Sequence, residues 1–279
     1  MAYTSEISRN SKACFIFLLD QSYSMTDGLG GAEGDKQGQL ALAVNNWLQE
    51  MITRATGDEG VKDWFDIGVF GYRTDQEGNP IIESAFRAPL SAGDICAITD
   101  IADNVADWEE LIVDDKTGEM VESPVWIFPV AAGGTPMCHA VLKAHEVLTD
   151  WIGNHQQSFP PIVIHITDGE SQDGDPIPYA ESLKGLATDD GNVLLFNCHL
   201  SDTASDSFMF PASDEVLPDD HARVLFEMSS ELPPSFIEQA KADGMGDEIQ
   251  EGARGMAYNT DMTALIRFLN LGTRGGGLR

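Results

Sequence analysis

Basic residues are scarce in this chain: 16 Lys and Arg stand against 46 Asp and Glu in 279 residues, a formal net charge of -30. Nucleic-acid binding depends on Lys and Arg neutralising phosphates, so that class is not expected. The same sign argues against anionic membrane surfaces. Paired cysteine spacings are missing too. Cys14, Cys96, Cys138 and Cys198 are scattered with no C-x-x-C among them, which removes the usual structural zinc site and points to buried, reduced thiols. Every segment long enough to span a membrane is interrupted by charges or glycines. Met1-Ala-Tyr-Thr-Ser-Glu lacks a basic start leading into an apolar stretch, so no signal peptide is expected and the expected location is cytoplasmic. There is no Walker-type phosphate loop and no internal repeat.

With 42% hydrophobic residues the chain has ample material for a core. Charge of this size raises the local concentration of cations and favours encounter with basic partner surfaces, although solubility alone also accounts for it. Continuous apolar strands alternate with helical patterns, the signature of a parallel sheet covered on both faces. The strands are Cys14 to Asp20, Trp64 to Tyr72, Pro161 to Thr167 and Asn192 to Leu200. Helical periodicity runs from about Lys36 to Thr56, with Leu40, Val44, Trp47, Leu48 and Met51 on one face, and from about Met137 to Ile152. Further helices are expected at Ile177 to Thr188, Pro234 to Ala242 and Asp261 to Leu271, and a last strand at Val224 to Met228.

Two hairpins complete the pattern. Ile81 to Phe86 follows Gly78-Asn79-Pro80 and adds an antiparallel edge strand, while Leu111 to Trp126 carries two apolar arms around a Lys-Thr-Gly turn. The second is an insertion expected near the crevice at the strand ends, and either a surface decoration or a partner-binding lip. The fold class is therefore α/β, a doubly wound and mostly parallel central sheet with one antiparallel edge strand and helices on both faces. The division is residues 1–13 as an N-terminal extension, 14–271 as one domain with insertions near 94–130 and 201–223, and 272–279 as a flexible glycine-rich tail.

Three separated segments each place a hydroxyl or carboxylate where a strand ends or a helix begins. Asp20-Gln-Ser22-Tyr-Ser24 follows the first strand, Gly133-Gly134-Thr135-Pro136 opens a helix, and Thr167-Asp168-Gly169 closes another strand. Magnesium takes an octahedron of hard oxygens, usually one or two carboxylates with several waters retained. Ser22, Ser24 and Thr135 offer neutral hydroxyls, while Asp20 and Asp168 offer charge balance and partners for coordinated waters. In an open parallel sheet the crevice beyond the carboxyl ends of the strands is where ligands bind.

Asp20-x-Ser22-x-Ser24, then Thr135, then Asp168, resembles the metal-ion-dependent adhesion site of von Willebrand factor A (vWA) domains, with all five positions filled. The likeness extends from about Cys14 to Leu271, although only the motifs are specific. Asp20-Gln-Ser-Tyr-Ser-Met25, Gly-Gly-Thr-Pro-Met137 and Ile-Thr-Asp-Gly-Glu170 look most like bacterial intracellular vWA proteins of the tellurite-resistance-associated kind. The resemblance implies a Mg2+ ion, with Mn2+ or Ca2+ as alternatives, held by Asp20, Ser22, Ser24, Thr135 and Asp168. It implies a partner rim at Tyr23, Gly134, Gly169 and Glu170, and a partner Asp or Glu that completes the ion's coordination. It also implies partners such as a kinase or a phosphatase, and a scaffold or regulator rather than an enzyme. In similar domains the closing helix shifts when the metal loop changes shape. Tyr23, where glycine is common, and the long insertion before Gly133 depart from the family pattern.

Rival chemistry has less material. A Mg2+-dependent phosphoryl-transfer enzyme or hydrolase would need a base or nucleophile, and a vWA subunit of an ATPase complex would share the same site. Cys138-His139 stands at a helix start, where a thiolate is favoured, but adjacent helical residues point about 100° apart. His165 and His199 lie in apolar strands and read as core or strand-end residues. The run from Asp168 to Asp175 reads either as a solvated acidic loop or as a second cation or base site.

Overall fold

The computed structural model describes residues 3–28, 34–114, 119–200, 207–215, 217–245, 249–260 and 265–269, with the backbone alone described at 111–114 and 119. The first strand, β1 (Ala13–Asp20), is buried at all eight positions. Its odd residues Phe15, Phe17 and Leu19 join one apolar core, and its even residues Cys14, Ile16 and Leu18 join the other. That division follows from the two-residue period of a strand and explains why the run has no polar alternation: both faces are covered.

Helix α1 (Lys36–Ala55) starts at Asp35, whose side chain accepts from the Gly38 amide. It buries Leu40, Val44, Trp47, Leu48 and Met51 against the first face. Trp47 packs edge-on against Phe15 and Phe17 at ring distances of 5.2 and 4.7 Å. A short ribbon, β2 (Thr56–Gly57) with β3 (Gly60–Val61), leads to β4 (Phe65–Thr74), β5 (Pro80–Ser84), β6 (Cys96–Ala97) and α2 (Ile98–Asp103). Both β5 and β6 pair antiparallel with β4.

The inserted hairpin is present as β7 (Asp107–Asp114) and β8 (Glu119–Val125), paired antiparallel; its Lys-Thr-Gly turn lies outside the described residues. Its base docks on α1: Asn45 accepts from the Trp126 and Ile127 amides and donates to the Ile127 carbonyl. The opposite face of the sheet carries α3 (Met137–Asn154), α4 (Ile177–Lys184) and α5 (Asp220–Met228). Between them lie β9 (Ile162–Thr167), the ribbon of β10 (Ala187–Thr188) and β11 (Gly191–Asn192), then β12 (Leu194–Leu200) and β13 (Phe208–Met209). Helix α6 (Pro234–Ala242) packs Phe236 and Ala240 into the first core, and β14 (Met256–Thr260) follows.

The sheet runs β13-β14-β12-β9-β1-β4-β5. Its central pairs, β14 with β12, β12 with β9, β9 with β1 and β1 with β4, are all parallel. The fold class is the expected one, with β13 an extra antiparallel piece at the far edge. No helix among the described residues is long and apolar enough to cross a membrane.

One expected strand is corrected. Val224 to Met228 is the second half of α5, not a strand, and the stretch before it is already helical from Asp220. A five-residue apolar run does not distinguish the two states. The decisive signal is Asp219, whose carboxylate accepts from the Ala222 amide at 2.7 Å and caps a helix burying Ala222, Leu225 and Phe226. The strand that fills this place is β14, whose Met256 pairs with Asn197. Of the closing helix expected at 261–271, only residues 265–269 are described; they are helical, and Leu265, Phe268 and Leu269 are buried.

Candidate functional site

Parallel pairing of β1 with β9 ends at Leu19 and Ile166, which sets Asp20 and Thr167 side by side at the carboxyl ends. Thr167 donates its hydroxyl to Asp20 Oδ2 at 2.6 Å, and the Ser22 amide donates to Oδ1 at 2.8 Å. Both carboxylate oxygens are thereby oriented, in a residue only 1% exposed. Burial pushes the Asp20 pKa up to about 6, the hydrogen bonds from Ser22 and Thr167 oppose the rise, and the negative charge of Asp168 adds to it.

After Asp20 the chain turns through a short 3-10 segment, Tyr23–Thr26, which buries Met25 beneath the loop and leaves Tyr23 71% exposed. Ser22 Oγ and Ser24 Oγ are 3.0 Å apart, and Ser24 Oγ donates to Asp168 Oδ1 at 2.7 Å. Four of the five expected ligands therefore form one connected polar cluster.

Thr135 joins it from the segment that leads into α3. The Tyr23 amide donates to the Gly133 carbonyl at 2.9 Å, and the Gly134 amide to Thr74 Oγ1 at 2.7 Å. Gly133 has φ +67, and a Cβ there would collide with the Thr74 carbonyl, so only glycine serves at this bend. Thr135 and Gln172 are tied twice: the Gln172 amide donates to the Thr135 carbonyl at 3.0 Å, and the Thr135 amide to Gln172 Oε1 at 3.2 Å. A Cβ placed on Gly169 would lie 3.6 Å from Thr135 Oγ1 and 3.9 Å from Ser24 Oγ. The three segments thus meet around Gly169, with Glu170 exposed beside them.

The loop after β9 is not simply solvated. Asp173 accepts from the Cys138 and His139 amides, from His139 Nδ1 at 2.7 Å and from Ser171, which caps the start of α3. Burial works to raise its pKa, but these bonds outweigh it and the net shift is downward. Capping by Asp173 and the Gln172 bonds together hold Thr135 against the Asp168 loop.

A residue that sequence reasoning took only as a helix start completes the site. Lys36 Nζ lies 2.8 Å from Asp168 Oδ2, with the two side chains 5% and 0% exposed. Its place as the first residue of α1, next to a glycine-rich loop, was the available signal, but no periodicity points a helix-starting lysine inward. Thr167 was equally unmarked beyond its strand-end position.

Two carboxylates and three hydroxyls form an all-oxygen donor set, and one ammonium leaves the pair of carboxylates short of positive charge. That fits a small hard divalent cation. Among the described residues no group of three or more His, Cys, Asp or Glu is placed to hold a metal, so an ion here would depend on the hydroxyls. The other candidates are differently employed. Burial pushes the Cys138 thiol up to about 11, away from a thiolate. His165 bonds Tyr72 and Asn197 inside the sheet, and His199 stacks on Tyr258 at 4.3 Å. All four cysteines are free and buried.

No family model matches the chain, and no curated protein matches it. Among solved structures it is similar to the manganese-loaded TRAP protein of Plasmodium vivax, at 13% identity and a TM-score of 0.43, covering 96% of this chain and 76% of that one. It is similar to the vWF domain of the type V pili tip protein Mfa5 from Porphyromonas gingivalis, at 12% identity and a TM-score of 0.33, covering 58% of this chain and 39% of that one. It is also similar to the PilB minor pilin from Streptococcus sanguinis, at 12% identity and a TM-score of 0.46, covering 96% of this chain and 62% of that one. At these values the similarities carry no argument about function, and the α/β assignment stands on the strand order and pairing of the chain itself.

Proposed function

We propose that this chain is a metal-dependent protein-interaction module of the vWA kind, which docks on a partner's Asp or Glu. The observation that carries the reading is the hydrogen-bonded line Ser22–Ser24–Asp168, with Asp20 fixed beside it and Thr135 brought to the same glycine. A bound Mg2+, or Mn2+ or Ca2+, would supply a Lewis-acidic coordination position that a carboxylate can fill. Ser22, Ser24 and Thr135 would hold the ion directly, and Asp20 and Asp168 would orient its waters and balance its charge.

The chain's own residues then set specificity. Two carboxylates nearly cancel a divalent charge, so attraction for a distant acid is weak and affinity comes from direct contact in a partly dry crevice. The net charge of -30 repels acidic surfaces, which selects a partner whose ligating carboxylate sits in a neutral or basic surround. Tyr23, Gly134, Gly169 and Glu170 form the rim that such a partner would touch. The raised thiol pKa of Cys138 and the bonds that hold His165 to Tyr72 and Asn197 support a binding role over a catalytic one for these residues.

The setting we propose is cytoplasmic, as a scaffold or regulator in a multi-protein system that includes a kinase, a phosphatase or an ATPase. The test is recovery of partners by the tagged chain in Mg2+, in EDTA, and after Asp20→Ala or Thr135→Ala. Recovery that needs both the metal and the intact residues supports the reading. Equal recovery in all conditions contradicts it.

A further inference from the structure

The ion pair between Lys36 and Asp168 occupies the carboxylate that a metal would need. Asp168 Oδ1 accepts from Ser24 and Oδ2 from Lys36, and the lysine ammonium is nearly as enclosed as its partner. Lys36 is anchored at its backbone: its amide donates to the Asp27 carbonyl at 2.9 Å, and Asp35 caps the helix at the Gly38 amide. Its four-carbon stem is intrinsically flexible, so the ammonium can leave Asp168 without a shift of the helix backbone. An ammonium and a divalent ion at one carboxylate repel each other strongly where water is excluded.

We infer that Lys36 is a tethered cation that competes with the divalent ion for Asp168 and so sets the metal affinity of the site. The inference rests on the metal-dependent reading given above and goes beyond it. Lys36, 2.8 Å from Asp168 Oδ2, must leave before both Asp168 oxygens can serve an ion and its waters. Apparent affinity is then the intrinsic affinity multiplied by the fraction of chains in which the lysine has swung out. The same linkage runs in reverse: bound metal drives Lys36 into solvent. Removal of the ammonium leaves the oxygen ligands in place and removes only the competitor.

The experiment uses the full chain as wild type, Lys36→Gln and Lys36→Met, each titrated calorimetrically with Mn2+ and with Mg2+. The expected result is binding at least about tenfold tighter in both variants, or binding in the variants alone. In parallel, wild-type lysines are acetylated with and without Mn2+ and read by mass spectrometry. Lys36 labelling is expected to rise severalfold with metal, while Lys12, held by Asp63 and Asp66, stays constant. Metal binding of equal or lower affinity in the variants, or unchanged Lys36 labelling on metal-bound wild type, overturns the inference and leaves the metal site standing. Failure of all three proteins to bind either ion overturns the metal reading itself. Should the variants not fold, the labelling of wild type decides alone.

Discussion

Thr167 and Asp20 are joined by a 2.6 Å hydrogen bond from hydroxyl to carboxylate, made across the two neighbouring parallel strands β9 and β1 and closed to solvent. It is the contact through which the sheet itself aims Asp20. Thr167→Val keeps the shape and removes both the buried donor to Asp20 and the acceptor of the Gly169 amide. The expected cost is about 1–3 kcal/mol in urea unfolding, with metal affinity lowered by about 10- to 100-fold, as for other partners that orient ligands. Unchanged stability and affinity would remove Thr167 from the site.

Gly133 has the positive φ that lets the Gly-Gly-Thr segment reach β1. Gly133→Ala sets a Cβ against the Thr74 carbonyl and strains the backbone, so the predicted loss is about 1–3 kcal/mol or more. Gly78 also has a positive φ, but a Cβ there meets nothing within 4 Å. Gly78→Ala is therefore the control, and in urea titrations it should cost less than Gly133→Ala.

His165 reports on pH. Burial pushes its pKa down to about 4, with its bond to Asn197 opposing the shift. The unfolded histidine, near 6.5, takes up a proton more readily than the folded one, so the unfolded state binds more protons between pH 6.5 and about 4. The stability that neutral His165 contributes is complete above pH 6.5 and is lost as pH falls through that window. Measured as the difference from His165→Gln, the wild-type advantage should shrink by about 2–3 kcal/mol between pH 7.5 and 4.5. A constant difference would contradict the buried, neutral assignment.

Much of this could be read from residues in order. Uninterrupted apolar strands gave the parallel sheet because both faces of β1 and β9 are covered, and the motif spacing placed Asp20, Ser22, Ser24, Thr135 and Asp168 at strand and helix ends. What local pattern could not supply was long-range. Asp173 caps a helix that begins 36 residues earlier, Asn45 pins the inserted hairpin from α1, and Lys36 reaches Asp168 across 132 positions. α5 was misread because its apolar run is short and its cap, Asp219, lies inside an acidic, irregular-looking stretch. β14 passed unseen because Met256–Thr260 is short, contains Asn259 at a positive φ, and pairs with a strand more than fifty residues before it.

The central claim is tested most directly by Mn2+ binding to the purified chain, counted by calorimetry for wild type, Asp20→Ala and Asp168→Ala. One ion per wild-type chain is the expected result, with affinity falling by about 10- to 100-fold in each variant, since both carboxylates orient the ion's waters and balance its charge. A wild-type chain that binds no divalent ion, or variants that bind as well as wild type, would contradict the account.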